Sequence, residues 1–591
     1  MHFIPRNQFH DPGSRPRLTE RGMMRRPLSR ASMNRQLLTG AVTSFLCGLT
    51  LAACSPSNGP QTGSQTNWLV SCDSSAECGA GLECVCGACT ATCLSDRACA
   101  DLAGASCVAP SETGSIALCG GQAPPINLCL ARCGEEGSCT GGTSCIGGVC
   151  IPTGTTTTVD VTIEPDATHQ TLIGFGASLA YAEDLLNSHP ERGALFDLFF
   201  GEAGLDVLRL RNRHDDGSAD PLTSTSELVA LATERLGRAP TLFLTSPTPP
   251  AALKANGSRT CAGDPATCTL VTLPDGAFDY AGFASYWRSA LEAYADAGIT
   301  PDYVSIQNHP NWIAPDGLEL DACLFLPEEG TTMVTVDGAS TEVRYPGYRE
   351  ALEAVASAVA DLPTLPLIGA PEAGVVGVGD FVTPLPASAF DALAFHAYGV
   401  EPAGLDLAPL EAVRELAEQR GRPVLQTEVQ SAGIDTAVMI HHALTAANAS
   451  AYLQNDFILL NPDTADLALA LLTEDGFELQ GTYHAFAHYA GHTDPGWIRI
   501  DATHDAAELL STAWLSPDRT ALTVVLVNPG LGEIETRLVV PEELRATLTR
   551  STVTRTVFGG VERSAALGRL PEGDLARLPG GSMVTIAFES Q

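Results

Sequence analysis

Between residues 171 and 457 the chain alternates short apolar runs with longer Ala/Leu/Glu-rich segments, and this alternation limits the possible folds more than any other feature. Parallel strands need crossover connections, usually helices, so strand and helix in repeated succession predict a parallel α/β sheet. Eight strand-like runs can be read, at 171–175, 206–210, 241–245, 303–307, 366–369, 392–396, 423–427 and 450–457. Eight such units predict a (β/α)8 TIM barrel, with its chemistry at the C-terminal ends of the strands. After Trp497 the helical period fades into short alternating runs at 521–527, 534–540 and 583–588, the pattern of a small β-sandwich side domain. Val159, Val161 and Ile163 alternate in the same way before the first barrel strand, so the two β segments are expected to pair. The expected boundaries are 155–495 for the barrel with its leading β segment and 496–591 for the sandwich.

Two of the eight runs end in reactive side chains. Tyr303-Val-Ser-Ile-Gln-Asn-His-Pro-Asn-Trp312 passes from apolar residues into polar ones, Pro310 and a Trp, and Pro423-Val-Leu-Gln-Thr-Glu428 stops at a carboxylate. Asn308-His309-Pro310 alone reads equally well as a turn. A second strand ending in a functional group favours one shared site.

The blocks Gly174-Phe-Gly-Ala-Ser178, the Ser246-to-Gly257 segment, Ser305-to-Trp312, Phe395-His-Ala-Tyr-Gly399, Gln426-Thr-Glu428 and Pro495-to-Ile500 follow one another in an order and spacing that resembles glycoside hydrolase family 30. The resemblance spans about 430 residues. It implies a retaining glycosidase barrel with a β-sandwich side domain, acting on xylans, β-glucans, galactans or glucosylceramide. It implies Glu428 as nucleophile, Arg209 as the residue that orients it and holds it ionised, and Asn308 as a contact to the sugar hydroxyl beside the reacting carbon. His396 and Tyr398 would line the same pocket, Trp312 would contact substrate, and Tyr181 would keep one aromatic wall.

The sequence departs from that pattern at the acid/base, where His309 stands in place of a Glu. A retaining glycosidase uses two carboxyl groups about 5 Å apart, one attacking the anomeric carbon and one serving the leaving oxygen and then water. Either an imidazolium at His309 does the second task, or Asp316, Glu319 or Glu372 reaches in. Aromatic platforms are also replaced, by Thr248 and Asn455, and residues 459–472 hold no Arg or Lys to read a glucuronic acid. A catalytically silent, glycan-binding barrel is therefore the competing expectation.

Upstream, Arg25, Arg26, Arg30 and Arg35 precede an apolar run at 37–53 that ends Leu51-Ala52-Ala53-Cys54, which resembles a bacterial lipoprotein signal. The expectations are an exported chain, a signal at 1–53 whose true start is Met33, a lipidated Cys54, anchorage by lipid alone at a bacterial, outer, membrane or release outside the cell, and a linker at 54–71. Fourteen of the nineteen cysteines lie between Cys72 and Cys150, where Cys72-x5-Cys78-x5-Cys84-x4-Cys89 recurs as Cys133-x5-Cys139-x5-Cys145-x4-Cys150, with a looser copy from Cys93 to Cys107 between them. In an exported chain this reads as a disulfide-rich repeat region at 72–150, a spacer rather than a zinc site. Cys261 and Cys268 are expected to pair, Cys323 to be buried, and His441 and His442 to be structural. With 69 acidic against 33 basic residues and no basic patch, nucleic acid is not an expected partner. Gly174-Phe-Gly176 lacks the rest of a dinucleotide fingerprint, so no cofactor or metal is expected. The partner is then a polysaccharide or oligosaccharide, and the chain is expected to be a monomer.

Overall fold

A computed structural model describes residues 68–110 and 127–152 in interrupted stretches, and residues 157–590 apart from 262, 314–319, 337, 370, 401–405, 531, 561 and 572–573. The signal, Cys54 and the linker up to Asn67 lie outside the described residues, as do Cys86, Asp316 and Glu319. No helix among the described residues is long and apolar enough to cross a membrane.

The cysteine-rich region is built from short strands, with small cores in which half-cystines pack against Leu82, Leu102 and Trp68. Its two close repeats are bridged alike, first to third and second to fourth: Cys72–Cys84 with Cys78–Cys89, and Cys133–Cys145 with Cys139–Cys150. The looser copy follows the same rule, Cys93–Cys107 and Cys99–Cys129, with its fourth member 22 residues beyond the third. So little apolar sequence cannot form a large core, and the bridges hold the chain together in its place. Cys261 pairs with Cys268, and Cys323 is a buried free thiol.

The rest is mixed α/β. A curled sheet of parallel strands runs in sequence order through Gly174–Ser178, Val207–Arg211, Thr241–Thr245, Tyr303–Ser305 and Leu367–Ile368. From Gly174–Ser178 it continues the other way through Ala449–Gln454, Val424–Glu428, Leu393–His396 and Ala373–Gly374. Its two edges approach through a parallel bridge from Gly369 to Ala392, with a second from Asn308 to Glu372. The expected strand at 171–175 begins three residues later. Thr171 instead ends the long strand Thr157–Thr171, and Leu172 is held by Trp497 and Gly496. The expected strand at 303–307 stops at Ser305, after which Asn308 bonds across to Ser246.

Period-two alternation explains where the site forms. Val207, Phe243, Ala392, Ala394, Leu425 and Ala451 make a small apolar cluster of their own, separate from the large core that includes Leu208, Leu244 and Phe395. One or two steps further along the same strand faces come Arg209, Thr245 and His396, polar and buried. On Val424–Glu428 the register skips Thr427, so that His396 stands opposite Glu428. The flanking helix Tyr280–Asp296 starts on Asp279, whose side chain accepts from the Gly282 amide at 2.8 Å. It buries Phe283, Trp287, Ala290 and Tyr294, and the Trp287 indole donates to the Ile306 carbonyl at 3.2 Å, fixing the segment that leads to His309.

A second sheet of nine strands has its own core around Val161, Leu522, Val524 and Ile586. Thr157–Thr171 lies inside it, antiparallel to Ile498–Thr503 and parallel to Ile534–Val539, so the segments before and after the α/β part do pair.

Two consequences can be measured. A Cβ on Gly176 would meet the Val207 carbonyl oxygen at 2.0 Å, between two paired strands. Gly176→Ala therefore costs about 2–3 kcal/mol in denaturant unfolding. Asp206 is buried, which pushes its carboxyl up to about 7 although Arg238 opposes the shift. Its stabilising contribution is complete below the unfolded carboxylate range near 4 and is lost as pH rises through 7, at up to about 1.4 kcal/mol per pH unit. Asp206→Asn should flatten the fall of Tm between those pH values.

Candidate active site

Arg209 sits 2% exposed at the centre of the polar layer. Its guanidinium donates to Glu428 Oε2 at 2.7 Å, to Asn308 Oδ1 at 2.7 Å and to Glu372 Oε1 at 3.1 Å. Glu372 is fully buried beneath it and also accepts from the Thr245 hydroxyl. Burial raises the Glu372 carboxyl, but Arg209 and the His396 contact outweigh burial and bring it down to about 2. Burial likewise opposes ionisation of Glu428, yet His396 and Arg209 beside it and a hydrogen bond from His309 hold it well below the usual carboxylate range. Of these, Arg209 is the permanent cation.

The other carboxylate oxygen of Glu428, Oε1, has partners of its own. The Tyr398 hydroxyl donates to it at 3.1 Å, and His309 Nε2 lies 3.3 Å away. Burial, with the Glu428 charge beside it, pushes the Tyr398 phenol well above its usual range, so it stays a donor. His309 Nε2 is also 3.0 Å from His396 Nδ1. The proton positions follow from the partners. His396 Nε2 faces Glu372 Oε1 at 3.5 Å and Glu428 Oε2 at 4.0 Å, two acceptors, so that nitrogen carries the hydrogen. Burial lowers His396 below its usual value and keeps it neutral, which leaves Nδ1 a lone pair. His309 Nε2–H then points between that lone pair and Glu428 Oε1.

His309 is the exposed member, with 19% of its side chain accessible against 9% for Glu428. Its backbone is left-handed, φ +47°, and its amide donates to the Glu372 carbonyl at 3.1 Å. A non-glycine residue held there costs on the order of 1 kcal/mol, which the surrounding contacts must overcome. Trp312 is half-buried with its ring centroid 5.5 Å from the imidazole, and forms a wall.

Glu428, His309, Asn308, Arg209, Trp312, His396 and Tyr398 thus converge. The Arg211 guanidinium lies 4.4 Å from the Tyr181 ring centroid, and the Tyr181 hydroxyl donates to Asp321 Oδ2 at 3.3 Å. Arg211 is in turn held by Glu183 at 3.2 Å, and Arg213 is clamped by Asp184 at 2.8 and 2.9 Å, a network that the sequence alone did not suggest. Of the three carboxylates that could stand in for the missing acid, Glu372 does reach the site, but as a locked anion under Arg209 rather than a proton donor. Thr248 and Asn455 are buried, and the Thr248 hydroxyl donates to the Ala322 carbonyl at 3.1 Å.

Removing the guanidinium leaves two buried carboxylates facing each other. Arg209→Met should cost about 3–5 kcal/mol in chemical denaturation. Arg209→Lys should fall between, because an ammonium cannot span three acceptors with one planar fork.

No family model matches the sequence and no curated protein matches it. Solved structures do. A glycoside hydrolase family 30 subfamily 8 xylanase, Xyn30A from Clostridium acetobutylicum, is similar over 73% of this chain and 100% of its own, at 22% identity and a TM-score of 0.56. A conserved exported protein from Bacteroides fragilis is similar over 72% of this chain and 100% of its own, at 14% identity and a TM-score of 0.58. An endo-β1,6-glucanase is similar over 73% and 94%, at 14% identity and a TM-score of 0.52. Identities this low speak for fold alone, which this chain shares with these solved structures.

Proposed function

We propose that the chain is a retaining glycoside hydrolase built on a (β/α)8 barrel with a β-sandwich side domain, cleaving a β-linked polysaccharide of xylan or β-glucan type. The observation that carries this reading is Glu428. It is a carboxylate at a strand C-terminus, fixed through Oε2 by Arg209 at 2.7 Å and with Oε1 towards Tyr398 and the more accessible His309. Oε1 attacks the anomeric carbon as the bond to the leaving oxygen breaks, giving a glycosyl ester. His309, as imidazolium, must swing off Oε1 to free it, and that same movement brings its proton to the leaving oxygen. The neutral ring then takes a proton from water, the water attacks the anomeric carbon, and Glu428 leaves as carboxylate. Arg209 and Tyr398 steady the nucleophile, and Asn308, itself held by Arg209, faces the sugar. The reading includes export and a lipid anchor at Cys54, which the run before Cys54 and the disulfide-dense region behind it support.

A second reading, a glycan-binding protein without turnover, is favoured by the engagement of His309 on the nucleophile itself and by the trapping of Glu372. The full chain should be assayed on a natural glycan and on its aryl glycoside, with and without azide. Hydrolysis of both, with Glu428→Gln inactive on each and His309→Ala losing the natural bond at least a hundredfold while azide restores the aryl substrate, supports the hydrolase. Glycan binding with neither substrate cleaved supports the second reading.

A further inference from the structure

We infer that His309 Nε2, His396 Nδ1 and Glu428 Oε1 form a binding site for a divalent transition ion of the zinc type, and that this ion competes with glycosyl transfer for the nucleophile. The three residues offer ligand atoms that all lie within 4.8 Å of one another. The two measured edges of the triangle are 3.0 Å between the imidazole nitrogens and 3.3 Å from His309 to the carboxylate. Atoms bound tetrahedrally at about 2.0–2.1 Å from one centre stand about 3.3 Å apart, close to the two edges given. The rings meet nearly edge to face, at 83° with centroids 4.2 Å apart, so the imidazoles are not stacked against one another.

The surroundings supply what such a site needs. A histidine that ligates through one nitrogen usually gives the other N–H to a carboxylate, which fixes the ring. His396 does this with Nε2 towards Glu372, itself anchored by Arg209 and Thr245. Glu428 keeps Oε2 on Arg209 and Oε1 for the ion. His309 would bind the ion through Nε2 in the neutral tautomer with hydrogen on Nδ1. Two carboxylates and one guanidinium leave a net negative charge at the centre to meet a dication. The accessible side of His309 leaves a fourth position for water, so two histidines and one carboxylate select zinc, nickel or copper over magnesium and calcium. The ion would occupy the very oxygen that attacks the sugar in the hydrolase reading, so the competition rests on that reading, while binding itself does not.

Calorimetry of the chelator-treated full chain with zinc ion alone, repeated with magnesium ion, tests the inference. Expected is one equivalent of zinc bound in the micromolar range or tighter, weakened at least a hundredfold in His309→Ala and in Glu428→Gln. Binding should be unchanged in His169→Ala, whose ring meets an exposed carboxylate in the other sheet. Cobalt ion should give the visible absorption of a four- or five-coordinate site, lost in the same two variants, with thermal melts checking that each is folded. Absence of zinc binding, zinc binding that survives both substitutions, or magnesium bound as tightly overturns it. Zinc bound as expected by a chain that cleaves no glycoside would remove only the hydrolase reading, and glycoside cleavage without zinc binding would remove only this one.

Discussion

One guanidinium organises the polar end of the curled sheet. Arg209 comes from the strand Val207–Arg211, Asn308 from the loop after Tyr303–Ser305, Glu372 from the segment between Leu367–Ile368 and Ala373–Gly374, and Glu428 from Val424–Glu428, so a single planar cation ties together strands far apart in the chain. Alone, any of these charges would be costly to bury; together each satisfies the others, and the cost of desolvation is met by hydrogen bonds on nearly every arm. The ionised state of Glu428, the fixed ring of His396 and the path of the chain into His309 all depend on that one arrangement.

His309 is where the arrangement becomes unusual. A carboxylic acid there would repel Glu428 when ionised and would stand away from it. An imidazole is attracted instead, and also finds a second imidazole at 3.0 Å. An acid at this position would thus hold the pair open, where the imidazole closes it. Any ligand that reaches Glu428 Oε1 must first open that contact.

Much of this was legible in the sequence because it follows from period and strand ends. The alternation gave the parallel strands to within a few residues, and the strand-end rule found His309 and Glu428, while Arg209 and His396 came from the family resemblance. What failed did so for local reasons. Thr171 reads as the start of a barrel strand, but a long apolar alternation ahead of it claims it for the second sheet. Glu372 was weighed only as a spare acid, although Leu367-Ile-Gly369 runs towards it as plainly as the seventh strand runs towards Glu428; two short strand pieces, Leu367–Ile368 and Ala373–Gly374, hid that end. Tyr181 stands beside Arg211 and Asp321, and side-chain pairing of that kind has no period to read. The fourth partner of the middle disulfide repeat, Cys129, escaped because an insertion spoils the spacing while leaving the bridging order intact.

The strand Thr157–Thr171 carries a mechanical implication. It is the covalent link from the disulfide-rich region into the folded body, and it is hydrogen-bonded along both edges, with neighbours that arrive much later in the sequence. A pull on the chain ahead of residue 157 acts along the strand axis and loads those bonds lengthwise and together, rather than peeling them one at a time. A load on the N-terminal side is therefore taken up first by the second sheet, not by the curled sheet that carries Arg209 and Glu428.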